Sequence, residues 1–343
     1  MREAPACIVR RSAKAAPASN ESAMSQTLLL DLPDLAAIED AAARIAPHAQ
    51  KTPVRNSRSI DALAGAEIVF KCENLQRVGA FKFRGASNAV WSLPDDVARR
   101  GAATHSSGNH GAALALAART RGIPAHVVVP QGAVRTKVAA IEAYGATLHR
   151  CAPTQAAREA AVERVLAETG ATLVHPYTTP AVIAGAGTAA FELIGEVGPL
   201  DAVVAPIGGG GLIGGSAIAA HALSPGVRVY AAEPEGAADA YESLRSGERV
   251  RELNPDTICD GLRAAIGEIN FELLKKYAVT VLPVADSETI AAMRMIFERM
   301  KLVVEPSSAI ALAAVLKHRE HFAGRRVGII LSGGNVDIDA LPW

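Results

Sequence analysis

Lys82 stands between two large aromatic residues, Phe81 and Phe83, and glycines at 79 and 85 pin the ends of the segment Gly79-Ala80-Phe81-Lys82-Phe83-Arg84-Gly85. Apolar surroundings penalise an ammonium group, so an amine placed there becomes neutral more easily and can act as a nucleophile, typically forming a Schiff base with an aldehyde. A lysine whose stem covers the rings while its head reaches water would have the same local sequence. The remaining chemistry-bearing residues must decide between the two.

Three glycine-bearing junctions supply them, each expected just after a strand, where ligands of open parallel sheets collect. In Thr104-His105-Ser106-Ser107-Gly108-Asn109-His110-Gly111, hydroxyls, an amide and main-chain N–H groups converge at a helix start, a place suited to a carboxylate. An N-cap needs fewer polar residues than this. Gly208-Gly209-Gly210-Gly211 follows the apolar run Val203 to Ile207, and consecutive residues without Cβ let their N–H groups turn toward a phosphate. Close glycine packing is the plainer reading. In the third, Leu331-Ser332-Gly333-Gly334-Asn335, Ser332 is either a turn residue or a neutral hydrogen-bonding partner for a heteroaromatic nitrogen.

The tetraglycine run also satisfies Gly209-x-Gly211-x-x-Gly214, with Glu233 at about the spacing of a ribose-binding acid, so a nicotinamide-dependent oxidoreductase is a rival reading. Such an enzyme has no need of Lys82 or of the other two junctions. Glu233 and Asp239 could instead be solvated acids of a surface loop. Arg135 and Arg158 could reach an anionic substrate, although exposure is the ordinary fate of either.

The elements needed to position these residues are legible as a βαβ rhythm. Short apolar strands are expected at 66–72, 102–105, 126–130, 147–151 and 172–175, with alanine-rich helices at 109–121, 136–144 and 155–169 between them. A second set has strands at 202–207, 228–232, 279–283 and 327–331 and helices at 212–222, 288–301 and 308–318. A helix from Asp34 with Leu35, Ile38, Ala42 and Ile45 on one face precedes both sets, and residues 87–93 turn helical after Lys82. The expectation is an α/β protein of two lobes with parallel sheets covered by helices: residues 26–100 and 178–343 form the larger lobe and 101–177 the smaller. Residues 1–25, rich in Arg, Ala, Pro and Ser, are expected to be a disordered leader.

Composition narrows the partner. The 343 residues carry 35 basic and 35 acidic side chains without a long basic run, which advertises neither nucleic acid nor an anionic membrane. A small molecule becomes the default. The four cysteines, Cys7, Cys72, Cys151 and Cys259, lack a C-x-x-C spacing, and a reducing cytoplasm is the expected home.

Taken together and in this order, the lysine segment, SSGNHG, the tetraglycine loop, AAEP and LSGGN resemble the serine racemase and serine/threonine dehydratase family, fold-type II enzymes that use pyridoxal 5′-phosphate, with a tryptophan synthase β-like fold. The resemblance runs from about Ile38 to Leu341, and Ala80 stands where most relatives carry Ser. It implies that Lys82 holds the cofactor, Phe81 packs beside its ring, Gly208, Gly209, Gly210 and Gly211 bind its phosphate, Asn109 meets its phenolic oxygen and Ser332 its pyridine nitrogen. Ser106, Ser107, Asn109 and His110 would receive the substrate carboxylate. Glu233, the backbone of Ala237 and Asp239 would hold Mg²⁺ or Ca²⁺.

The implied activity is elimination of water and ammonia from L-serine, L-threonine or 3-hydroxyaspartate to give 2-keto acids, with Lys82 as base. Ser107 on the opposite face would allow racemisation. A homodimer is expected. The short stretch after LSGGN leaves no room for an isoleucine-sensing module. A catalytically idle binder that keeps the fold is the remaining alternative.

Overall fold

The computed structural model describes residues 32–133 and 135–343, together with Met1. The expected leader at 1–25 lies outside this range apart from Met1. Ten strands form two sheets among the described residues: β1 (Val54–Arg55), β2 (Glu67–Cys72), β3 (Ala102–His105), β4 (Ala125–Pro130), β5 (Thr147–Cys151), β6 (Thr172–Leu173), β7 (Ala202–Pro206), β8 (Arg228–Pro234), β9 (Thr280–Val284) and β10 (Arg326–Leu331). The larger sheet has the order β1-β2-β10-β7-β8-β9 and the smaller β5-β4-β3-β6. Only β1 runs antiparallel to its neighbour. Parallel strands covered on both faces must be apolar nearly throughout, and β7 and β10, at the centre of the larger sheet, are so.

The helices are α1 (Leu35–Ile45), α2 (Arg58–Ala64), α3 (Lys82–Ser92), α4 (Asp95–Ala98), α5 (Asn109–Arg121), α6 (Arg135–Ala143), α7 (Gln155–Thr169), α8 (Pro180–Val197), α9 (Gly211–Leu223), α10 (Asp239–Ser246), α11 (Glu268–Lys276), α12 (Asp286–Met300) and α13 (Pro306–Lys317). Asp34 caps α1 by accepting the Ala37 N–H at 2.9 Å, and α2, α5 and α7 each end on a left-handed glycine. One face of the larger sheet packs on α1, α8, α9 and α11 through Ile38, Ile183, Ile213 and Leu273. The other packs on α2, α12 and α13 through Ile60, Ile296 and Leu312. In the smaller sheet, α7 covers one face with Val162 and Val165, while α6 covers the other with Ile141.

Elements β1, α2, α4, α10 and α11 were not expected from the sequence, and two further departures bear on the site. Helix α3 begins at Lys82 itself rather than at residue 87, because main-chain bonds hold the preceding residues extended only as far as Ala80, which bridges Gly333. Helix α8 has no counterpart in the sequence reading. It joins α3 to α9 by backbone contact: a Cβ on Gly85 would lie 2.7 Å from the Val182 carbonyl oxygen, and one on Gly187 would lie 2.8 Å from that of Gly215. By length and composition α8 could also cross a membrane, yet most of it is buried in this core.

Beneath α3, Arg84 is fully buried and gives bidentate bonds of 2.7 and 2.8 Å to Glu73 and two further bonds to Glu192, which Lys71 also reaches at 2.7 Å. Such forks satisfy a planar guanidinium and both carboxylates together. The lysine helix is thereby tied to β2 and α8.

Candidate active site

All three glycine junctions meet at the cleft between the sheets. Lys82, half-buried at the start of α3, donates from Nζ to the Pro176 carbonyl at 3.0 Å and lies 5.1 Å from the Phe81 ring centroid. Burial lowers its amine from the ordinary 10.5 to about 8, against a smaller opposing pull from Glu305. The segment before it is stitched to the third junction: Phe81 N–H donates to Ser332 O at 2.9 Å and Gly334 N–H to Gly79 O at 2.9 Å. Val78 and Gly79 both take left-handed backbone angles to make that turn.

The tetraglycine loop leaves β7 and becomes the N-terminus of α9. Gly210 is left-handed, and a Cβ on Gly209 would lie 2.3 Å from the Tyr177 ring. Gly209 O turns back to accept from Gly267 N–H and Asn270 Nδ2. Among the described residues, no protein acceptor takes the N–H groups of Gly208, Gly209, Gly210 and Gly211. Four such donors at a helix N-terminus form an anion cradle. Close packing and phosphate binding therefore both call for glycine here.

The SSGNHG loop has the same character. The N–H groups of Ser107, Asn109 and His110 find no acceptor among the described residues, and Ser106 Oγ accepts weakly from Gly108 N–H at 3.4 Å. His110 does not offer its ring to the loop: the side chain is buried with Nε2 3.1 Å from Val174 O, and burial holds its pKa well below 6.5. Its main-chain N–H is the group available to an anion.

Ser332 is buried, with its hydroxyl 3.4 Å from Ser307 O. Asn109 is anchored from both sides, its Nδ2 donating to both Glu305 oxygens at 3.0 and 3.2 Å while its Oδ1 accepts from Asn335 Nδ2 at 2.9 Å. Sequence reasoning missed Glu305. It stands at the N-cap position of α13 without a side-chain capping bond and is buried, and burial, with the nearby Asp260 charge, raises its carboxyl to about 7. The signal was an acid set between Val304 and Pro306, where solvent exposure is not expected.

Arg158 on α7 faces the same cleft. Burial first, then the Arg158 charge, lowers the pKa of His105, whose ring stands edge-on to His175 at 5.1 Å, and burial, then the His105 and Lys82 charges, lowers His175 to about 4. Arg158 Nε is buried with no partner among the described residues. The side chain of Arg135 is outside the described set.

Glu233 and Asp239 are not loop acids in solvent: both are buried. Glu233 accepts the Ala240 and Tyr241 N–H groups at 2.8 Å each, and Asp239 Oδ2 accepts that of Ile266 at 2.7 Å. Asp239 Oδ1 is left without a partner among the described residues, and Ala237 is buried in the single turn between the two acids. Burial raises Glu233 to about 8 and Asp239 to about 6.

Residues 45–333 match the family model described as pyridoxal-phosphate dependent enzyme. The chain belongs to this family. Family members similar to it include a beta-hydroxyaspartate dehydratase of Paracoccus denitrificans, 48% identical over 88% of this chain and 95% of that protein. An L-threo-3-hydroxyaspartate ammonia-lyase of Saccharomyces cerevisiae is 46% identical over 90% of this chain and 94% of that protein. Among solved structures, that of maize serine racemase superposes with a TM-score of 0.87 at 44% identity, over 89% of this chain and 94% of that chain. The fold is thus that of fold-type II pyridoxal-phosphate enzymes, and the cofactor is pyridoxal phosphate. The unfilled N–H groups of the tetraglycine cradle and the partly neutral Lys82 amine fit it.

Proposed function

We propose that this chain is an ammonia-lyase for small β-hydroxy amino acids, converting them to a 2-keto acid and ammonia. The observation that carries this is an amine lowered to about 8 in a cleft lined by two sets of unsatisfied N–H groups. Pyridoxal phosphate, when bound, supplies an aldehyde for the substrate amine and a ring that accepts the electron pair left when a bond to Cα breaks. Gly208 to Gly211 would hold its phosphate, Phe81 would flank its ring, Asn109 its phenolic oxygen and Ser332 its nitrogen. Ser332 is neutral and cannot keep that nitrogen protonated as a carboxylate would, which favours early loss of the β-hydroxyl. The N–H groups of Ser107, Asn109 and His110, with the Ser106 hydroxyl, would hold the substrate carboxylate. Lys82 removes the Cα proton, and the ammonium it becomes can hand a proton to the departing hydroxide.

Within that class, Arg158 favours 3-hydroxyaspartate, because a half-buried arginine whose Nε has no partner among the described residues suits a second carboxylate. The two hydroxyaspartate enzymes among its relatives support this choice. The test is ammonia and keto-acid release from 3-hydroxyaspartate, serine and threonine by wild type and Arg158→Ala. The expected result is a loss of about 100-fold or more in kcat/KM for 3-hydroxyaspartate, about 2.7 kcal/mol, with serine nearly unchanged. An equal loss for both substrates would leave Arg158 without a role in selection, and no ammonia from any of the three would overturn the reading.

Racemisation is the second reading, favoured by the similarity to the maize enzyme and by Ser107 beside the carboxylate site. Chiral analysis of recovered serine separates the two. The rest of the reading is a Mg²⁺ or Ca²⁺ at Glu233, the Ala237 carbonyl and Asp239, supported by the orphaned Asp239 Oδ1, together with a cytoplasmic homodimer and a smaller lobe, residues 101–177, that closes over substrate.

A further inference from the structure

Outside the cleft, the turn that joins α13 to β10 brings together three metal-ligating side chains, His318, Glu320 and His321. The turn Arg319–His321 is 3₁₀-helical, with the His321 N–H donating to His318 O at 3.0 Å, and residues three apart in that geometry stand on one face. The His321 ring is braced by Tyr230, centroids 5.5 Å apart. Glu320 Oε1 lies 3.7 Å from His318 Nδ1 and 3.9 Å from His321 Nε2, and the three donor atoms all fall within 4.8 Å of one another. These separations are too long for hydrogen bonds. The ring nitrogen that faces Glu320 is His318 Nδ1, and among the described residues no hydrogen bond ties it down.

A tetrahedral zinc with ligand bonds of about 2.0–2.2 Å places its donors about 3.4 Å apart, which small side-chain rotations would reach from here. We propose that His318, Glu320 and His321 bind a borderline divalent cation, with zinc preferred and water as the fourth ligand. Two imidazoles and one carboxylate suit zinc over the hard cations, which prefer all-oxygen surroundings. The neighbouring ammonium of Lys317 is occupied by Glu235 at 2.7 Å and Glu288 at 2.9 Å and does not compete for Glu320. The site lies at the opposite end of β10 from Ser332. Its ion pins the turn that follows α13 and takes no part in the chemistry.

The test uses the holoenzyme with excess Mg²⁺ present to occupy any hard-cation site. Zn²⁺ is titrated by calorimetry, and Co²⁺ by its visible d–d bands, which are clear of the cofactor's absorption. The expected result is one saturable equivalent with tetrahedral Co²⁺ bands and a higher Tm on Zn²⁺ addition. His318→Ala combined with His321→Ala should abolish it, and Glu320→Gln on the exposed surface should weaken it by at least the roughly 10- to 100-fold typical of a lost outer partner. A second close imidazole pair away from the cleft, His126 and His149 at 3.2 Å, provides the control, and its double alanine variant should bind as wild type does. Zn²⁺ binding that survives the His318/His321 variant, that disappears with the His126/His149 variant, or that never saturates overturns the proposal. If the first double variant fails to fold, unchanged affinity in Glu320→Gln does the same.

Discussion

At the scale of single residues, the proposed role of Lys82 makes cofactor capture depend on its protonation. Below about pH 8 its neutral fraction falls roughly tenfold per unit, so the rate at which pyridoxal phosphate reconstitutes the apoenzyme should climb from pH 6 and level off past 8. Stopped-flow absorbance measures it. A rise continuing toward 10.5 would mean that the pocket does not desolvate the amine. The types and order of Lys82, Asn109, Ser332 and the glycines were legible because each breaks a local rule, a cation among aromatics or hydroxyls beyond the needs of a cap. The local signal of Glu305, an acid between Val304 and Pro306, did not single it out, since an acid before a proline also describes an ordinary helix start. The direction of the His110 ring is set by Val174, 64 residues away, and no local pattern encodes it.

Elements tell a different story. Strands β3, β7 and β10 stood out by their β-branched and small apolar runs, and α5 and α7 matched their expected limits, whereas α8 was not among the expected elements, and its Gly185 and Gly187 have low helix propensity. Their cost in propensity is offset by tertiary packing that only small residues permit. For the tetraglycine loop, Gly209→Ala should lower cofactor affinity by about tenfold or more, roughly 1.4 kcal/mol, since its Cβ has nowhere to go but the Tyr177 ring. Titration of the apoenzyme followed by cofactor absorbance reads this directly. For α3, Arg84→Met strands Glu73 and much of Glu192 without their partner and should destabilise the fold by about 3–5 kcal/mol, visible in the urea midpoint.

The whole molecule carries several buried acids whose protons are coupled to folding. Folded Glu233, Glu305 and Asp239 keep their protons up to about 8, 7 and 6, against 4.5, 4.5 and 3.8 for the free side chains. The folded acids therefore bind more protons across that window, and from about pH 6.5 to 8, above the range where the lowered imidazoles of His105, His110 and His175 act the other way, stability should fall as pH rises. Above 8 the lowered Lys82 acts the other way, adding stability up to about 10.5. In chelator, Tm should decline from about pH 6.5 to 8. Ca²⁺ should flatten the decline if it replaces the protons of Glu233 and Asp239, and scanning fluorimetry with and without the ion checks this. An identical slope in both would separate those acids from the cation.

The glycine seams of α8 have one more consequence. The helix that begins with Lys82 and the helix that begins with the phosphate cradle touch the same middle helix backbone to backbone, at Gly85 and at Gly187–Gly215. The span from amine to cradle is thus gauged by main-chain contact, as with a spacer bar, and no flexible side chain can take up an error. One added methyl at Gly187 would reset that gauge and blunt turnover from deep inside the protein, with every ligand-touching group left intact.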